Sequence, residues 1–214
     1  MGEAKRRKET GAPPPQKGKS NKLLYAGIGL LALAAVLLGV FFLTAPPKPT
    51  SDGLPVAAPN AEDFPAQLDQ FGVSVGPDDA PVVVREFADY QCPACGNFAS
   101  ASKQLKEEYV AEGKVRFVYF DLPLQQHQNA MPAAQAARCA GDQDAYWAMH
   151  ERLYDSQTEW SGSNDPVATF TRYAGALGLE ERRFRRCMTT ELHREAVEQS
   201  RQVAMQLRVT STPT

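Results

Sequence analysis

The sequence predicts an α/β domain interrupted by an all-helical block and carried behind one apolar helix. Three observations lead to this reading. A charge-free run at residues 23–45 follows a basic tail. A β-branched run at 81–87, a helix-period segment up to Gly113 and a second apolar run at 115–120 make a strand–helix–strand unit. After Pro123 the apolar spacing turns helical and stays so almost to the end. With 214 residues, the chain has room for one ordinary domain and a short addition.

The addition is at the front. Residues 1–22 hold seven basic and two acidic residues, and residues 23–45 hold no charge. As a helix, that run reaches about 34 Å, enough for a hydrocarbon core of about 30 Å. Because the flanking positive charge lies only on the N-terminal side, it predicts a single-pass signal-anchor. The tail is then cytoplasmic, and the remainder lies across the inner membrane in the periplasm or its equivalent. The alternative is a cleaved signal peptide, whose apolar region is usually about 7–15 residues and ends in a small-x-small site. Leu43-Thr44-Ala45 fits that site poorly, and Pro46 follows it directly. The net charge of −2 divides into +5 on the tail and −7 on the rest. An acidic exterior domain argues against nucleic acid as the partner, while the tail suits topology and anionic lipid.

Residues 46–66, rich in Pro and Ala, read as an extended linker. The domain proper is expected over 67–125 and 188–214, with the helical insertion at 126–187. Residues 71–75 alternate as a short strand, and Gly76-Pro77-Asp78-Asp79 is a turn. The run at 81–87 has the composition of a strand covered on both faces. Phe98, Ala101, Leu105 and Tyr109 then recur at helical spacing before the strand at 115–120. Two strands joined by a helix should be parallel, with a right-handed crossover. Further helices are expected at 130–140, 144–156, 166–176, 180–187 and 190–208. The last should bury Leu192, Ala196, Val203 and Leu207 on one face.

The chemistry concentrates at Cys92-Pro93-Ala94-Cys95, where a strand ends and a helix begins. CxxC is either half a zinc site or a redox pair. A zinc ribbon needs a second closely spaced pair, and Cys139 and Cys187 lie in different expected helices. The strand–helix junction favours the redox reading. Two cysteines on one helical turn can close a small disulfide ring. The free N–H groups and partial positive charge of the helix N-terminus favour a thiolate at Cys92. Cys92 is therefore the expected nucleophile, and Cys95, one turn further in, the shielded resolving thiol. Pro93 suits the first turn, where its missing N–H costs nothing. No metal or cofactor is expected.

The segment from Glu86 to Cys95, read as Glu86-Phe87-Ala88-Asp89-Tyr90-Gln91-Cys92-Pro93-Ala94-Cys95, resembles the active-site segment of DsbA-like thioredoxin-fold proteins. The likeness runs from about residue 71 to the end. Ala136-Ala137-Arg138-Cys139-Ala140 and Tyr146-Trp147-Ala148-Met149-His150 are similar to helices of that family's insertion. Thr212-Pro213-Thr214 resembles its cis-proline loop, which faces the CxxC and pairs with substrate backbone. The resemblance thus implies a thioredoxin-like fold, a role for Pro213 beside the thiols, and substrate contacts at Thr212, Pro93 and Ala94. Glu86 matches the buried acid beneath the thiols in thioredoxin relatives, a possible proton acceptor; the alternative is a solvated strand residue, which the apolar neighbouring strand disfavours. Many DsbA proteins carry His where this chain has Ala94, and its absence implies a weaker oxidant. Cys139 and Cys187 read as a staple between two insertion helices, as in some members of the family, or as a second redox pair.

His127, His150 and His193 show no ligand spacing, and core or surface packing is expected for each. Trp147 and Trp160 are expected in the core or rim of the insertion, with Trp160 in a polar loop that could reach substrate. Relatives continue past the cis-proline with two strands and a helix, which this chain is expected to lack. Three functions compete. The first is a dithiol oxidase acting on cysteine-containing secreted or envelope proteins, reoxidised by a membrane partner of the DsbB or vitamin-K-epoxide-reductase type. The second is a tethered reductase or isomerase. The third is a tethered binding or chaperone module with a merely structural CxxC.

Overall fold

The strand–helix–strand unit forms a three-stranded sheet in the computed structural model, which describes residues 22–44 and 64–214. The basic tail ahead of Lys22 and the linker as far as residue 63 lie outside the described residues. The chain divides into two units, Met1–Ala61 and Glu62–Thr214. In the first, the apolar run forms helix α1 (Lys22–Thr44). Its described side chains run from residue 27 to 40, about 21 Å of helix. Among the described residues, no helix is long and apolar enough to cross a membrane.

In the second unit the sheet order is β1-β3-β2, with β1 (Val73–Val75), β2 (Val82–Ala88) and β3 (Val115–Asp121). β2 and β3 are parallel, pairing Val82 with Val115 and Ala88 with Asp121. β1 runs antiparallel, with Val73 opposite Tyr119. As the central strand, β3 is buried at every position but Arg116. β2 departs from expectation. Glu86, Phe87 and Ala88 are buried, but Val82 is 51% exposed and Val83 to Arg85 are half-buried. Along its outer side, among the described residues, β2 pairs with Thr214, through Phe87 N–H to Thr214 O (2.8 Å) and Thr214 N–H to Phe87 O (3.1 Å).

The first strand is shorter than expected because residues Ala66–Phe71 wind into a 3-10 turn. The turn brings buried Asp69 onto Arg85, whose guanidinium donates to both carboxylate oxygens (2.6 and 2.9 Å). Gly76 then reverses the chain at φ +102°, where a Cβ would meet the Val115 carbonyl at 2.5 Å.

Helix α2 (Pro93–Leu105) continues into a π-helical turn, Lys106–Val110, and both pack on β3 or its neighbours. The insertion contains α3 (Ala130–Gly141), α4 (Tyr146–Asp155), α5 (Gln157–Trp160), α6 (Pro166–Ala176) and α7 (Glu181–Thr189). Its core joins Phe117 and Tyr119 on one sheet face. α8 (Arg194–Gln206) covers the opposite face, where Val203 and Ala204 meet Phe87, Val118 and Phe120.

Three expectations need correction. Trp160 does not sit in an open polar loop. It ends the unexpected helix α5, is fully buried, and its indole N–H donates to Leu153 O (2.9 Å). An indole so placed can contribute packing and cannot reach substrate. The last helix begins at Arg194 instead of 190, because Glu191 adopts φ +50° and separates it from α7. Leu192 is left outside, 63% exposed, and the buried stripe is Val197, Ser200, Val203 and Ala204. Finally, His193 is not isolated. It caps α8, and one of its ring nitrogens lies within 4.8 Å of both Cys139 and Cys187 Sγ. Those cysteines form a disulfide between α3 and α7, with Cα atoms 5.8 Å apart.

Candidate active site

β2 delivers the chain to Cys92 at the sheet's carboxyl end. Cys92 has extended backbone (φ −70°, ψ 122°) and occupies the N-cap of α2, with Pro93 in the first turn. Its carbonyl accepts the first helical bond from Gly96 N–H (3.0 Å). Both thiols are free, with Cys92 8% exposed and Cys95 fully buried. The Thr212–Pro213 peptide is cis, and the Cys92 thiol donates to Thr212 O at 3.8 Å. Cys92, Cys95, Thr212 and Pro213, separated by about 120 residues of chain, therefore meet at one place.

The two thiols differ electrically. Burial pushes Cys92 up, but hydrogen bonding from Thr212 and the backbone N–H groups of Cys95 and Ala94 outweighs it, and the thiol ends below its ordinary value of 9.0. Burial dominates at Cys95 and pushes its thiol up to about 12. Cys92 is thus the better thiolate and leaving group, and Cys95 holds its proton. The Thr212 hydroxyl is buried and meets no hydrogen-bond partner at ordinary distance among the described residues.

Glu86 is buried, 4% exposed, and accepts a hydrogen bond from Ser102 on α2. Burial raises its carboxyl above the usual value, while Ser102 and the Lys106 charge pull the other way. The solvated alternative for Glu86 is therefore ruled out. Its hydrogen bond goes to Ser102 and not to a thiol, although Tyr154 feels the charge of both Cys95 and Glu86.

Several residues that the sequence did not single out hold the site in place. Gln157, from the insertion, donates through Nε2 to Tyr90 O (2.7 Å) and Cys92 O (2.9 Å). This clasp needs the glycine at 96, where a Cβ would come within 2.7 Å of Gln157 Oε1. Gln91 Nε2 donates to Ser161 O (2.9 Å), and its Oε1 accepts from Asn129 N–H (2.7 Å). Asp89 is buried and accepts from Gln91 N–H (2.6 Å) and Leu124 N–H (2.8 Å), with His127 Nδ1 at 2.8 Å. Beneath the motif, Tyr90 OH lies 2.8 Å from His150 Nδ1, and Tyr119 OH 2.7 Å from Tyr154 OH. Burial holds His150 well below its ordinary value, so this aromatic floor is neutral. Asp89, Tyr90 and Gln91 were legible as neighbours of Cys92, but nothing in the local pattern pointed to Gln157 or Asn129.

The described residues that could hold a metal are Cys139, Cys187 and His193, away from the CxxC.

Residues 69–214 match the family model described as Thioredoxin. The chain is 31% identical over 140 residues to a probable disulfide bond formation protein D of Bacillus anthracis, covering 64% of this chain and 60% of that one. It is 37% identical over 140 residues to the Na(+)/H(+) antiporter NhaA 3 of Salinispora tropica, covering 65% of this chain but only 20% of the antiporter. The chain thus spans less than two thirds of the length of either relative. Oxidised BdbD from Bacillus subtilis superposes with a TM-score of 0.60 at 25% identity, over 68% of this chain and 80% of that one. The chain belongs to the thioredoxin family.

Proposed function

We propose that the chain is a membrane-anchored, extracytoplasmic oxidoreductase that introduces disulfides into cysteine-containing secreted or envelope proteins. The observation that supports this best is the opposed thiol pair: Cys92 lowered and slightly exposed, Cys95 raised to about 12 and fully buried. In the oxidised enzyme, a substrate thiolate attacks Cys92 Sγ. The Cys92–Cys95 bond breaks, and Cys95 leaves with the electron pair and takes up a proton. The substrate's second thiolate then attacks its own sulfur in the mixed disulfide, and Cys92 departs as the stabilised thiolate. The substrate loses two electrons and two protons; the enzyme pair gains the two electrons and, at Cys95, one proton, and the other proton passes to solvent. Glu86, with its raised pKa, is the proposed proton relay for Cys95, acting at a distance through the buried polar floor.

Thr212 and Pro213 are the proposed docking edge for substrate backbone, with the exposed Pro93 and Ala94 as further substrate contacts. The anchor rests on the charge-free run 23–45, helical over Lys22–Thr44, behind a basic tail. Reoxidation is assigned to a membrane partner of the DsbB or vitamin-K-epoxide-reductase type.

Ala94, in place of a cationic residue, favours a second reading, a tethered reductase or isomerase. Equilibration of Cys92–Cys95 with glutathione separates the two. A potential near −120 mV supports the oxidase, and one near about −270 mV refutes it in favour of the reductase. Loss of dithiol oxidation in Cys92→Ser is expected on either reading, and its survival would exclude both.

A further inference from the structure

We propose that Cys139, Cys187 and His193 form a thiolate–imidazole site for Zn2+ when the insertion's disulfide is reduced. The three residues come from three elements, α3, α7 and the cap of α8, and their ligand atoms lie within 4.8 Å of one another. A tetrahedral zinc site with Zn–S of about 2.3 Å and Zn–N of about 2.0 Å has ligand–ligand edges of about 3.5–3.8 Å. Once the S–S bond is cut, the sulfurs can part to that distance without moving the helices far, because the Cα atoms are 5.8 Å apart.

A purely structural disulfide needs only apolar neighbours. This one has a polar shell suited to a metal. Asp142 caps α3, and its Oδ2 lies 2.9 Å from His193 Nε2 and 3.6 Å from Cys187 Sγ. A carboxylate on the ring orients a ligating histidine and strengthens it as a donor. Asp142 is itself held by Arg183, whose guanidinium donates to its carbonyl (2.6 Å). His193 and Asp142 side chains are 23% and 31% exposed, and Cys187 opens onto a depression lined by Asp142, Arg183, Arg186 and Thr190. A metal therefore has a route in, and the two arginines favour thiolates at the freed cysteines. Two thiolates and a neutral imidazole balance the charge of Zn2+, and the arginines offset Asp142. Thiolates with imidazole select zinc over calcium or magnesium.

The chemistry balances as two steps. An external dithiol reduces Cys139–Cys187, becoming a disulfide and giving up two electrons and two protons. Zn2+ then binds both sulfurs and releases the two thiol protons. The insertion's covalent staple is exchanged for a metal one across the same helices.

The test uses the full chain in detergent, carrying Cys92→Ser and Cys95→Ser so that only the insertion's cysteines can respond. It is reduced, freed of reductant without oxygen, and titrated with Co2+ as the probe. The expected result is one Co2+ per chain, with the visible absorption of a tetrahedral thiolate site, displaced by Zn2+. Zn2+ should also raise the melting temperature of the reduced chain and leave the oxidised chain unchanged. Asp142→Asn should weaken binding about 10- to 100-fold, and His193→Ala at least as much. The oxidised melting curve of each variant, with the disulfide intact, reports that it folds. Absence of a stoichiometric cobalt band, a His193→Ala variant that binds as tightly as its parent, or no zinc-dependent rise in melting temperature would overturn the site.

Discussion

The Gln157 clasp makes a prediction whose sign changes with background. Gln157→Ala removes both bonds to the active-site turn, at 2.7 and 2.9 Å. Cys92 O keeps its helical partner, Gly96 N–H, but Tyr90 O has no other hydrogen bond among the described residues. Tyr90 is 1% exposed, so an orphaned carbonyl there should cost about 1–3 kcal/mol. For a unit the size of Glu62–Thr214, each kcal/mol moves the melting temperature by about 2–4 °C. Gly96→Ala should do similar damage from the opposite side, because its Cβ would push Gln157 Oε1, 2.7 Å away, out of the clasp. In the Gln157→Ala background the push has no target. The same Gly96→Ala change should then stabilise α2 by about 0.5–1 kcal/mol, the ordinary helical preference for alanine over glycine. The assay is urea unfolding of the four proteins of a double-mutant cycle. An equal effect of Gly96→Ala in both backgrounds, or a Gln157→Ala midpoint unchanged from the parent, would refute the clasp.

Three further outcomes follow from the site and the staple. Alkylation of the reduced chain, mapped by mass spectrometry across pH, should modify Cys92 with a midpoint below 9.0, while Cys95 resists until pH about 12; preferential modification of Cys95 would contradict the assignment. Burial raises the Glu86 carboxyl, so the folded state holds that proton more tightly than the unfolded chain, and stability present below pH 4.5 is lost as pH rises through the elevated value. Glu86→Gln should therefore raise the melting temperature at pH 7 and flatten its fall above pH 4.5, and a lower melting temperature at pH 7 would count against a strained carboxylate. Replacing Cys139 and Cys187 by serine opens a loop closed across 48 positions and should cost about 4 kcal/mol in denaturant unfolding without metal; an unchanged midpoint would deny the staple a stabilising role.

Much of this architecture was legible because short-range patterns carry it. The β-branched run before Cys92 became β2, displaced by one residue, and the helix expected at 166–176 is α6 (Pro166–Ala176). Pro93 marked the first turn of α2, and the spacing of Cys92 and Cys95 placed both thiols on it. Family resemblance suggested Pro213 beside the thiols and Cys139 paired with Cys187; the structure has a cis Thr212–Pro213 peptide next to the Cys92–Thr212 contact and a Cys139–Cys187 disulfide. The boundaries that failed did so where one residue's backbone decides them. Glu191 at positive φ moved the start of α8 and left Leu192 exposed, which no apolar periodicity could reveal.

By itself, the sequence determined that this chain pairs a charge-free run with a CxxC at a strand–helix junction, since both are properties of contiguous residues. The sequence also pointed to Cys92 as the thiolate, through its place at the helix N-terminus, and the tertiary structure added Thr212, 120 positions away, and the burial that pushes Cys95 up to about 12. Only the structure placed Gln157 on the Cys92 carbonyl, 65 positions away, and His193 on Asp142, 51 positions away, where three elements converge on the disulfide. Hydrophobic periodicity records which face of an element is buried. It does not record what that face meets, and in this protein the chemistry belongs to those meetings.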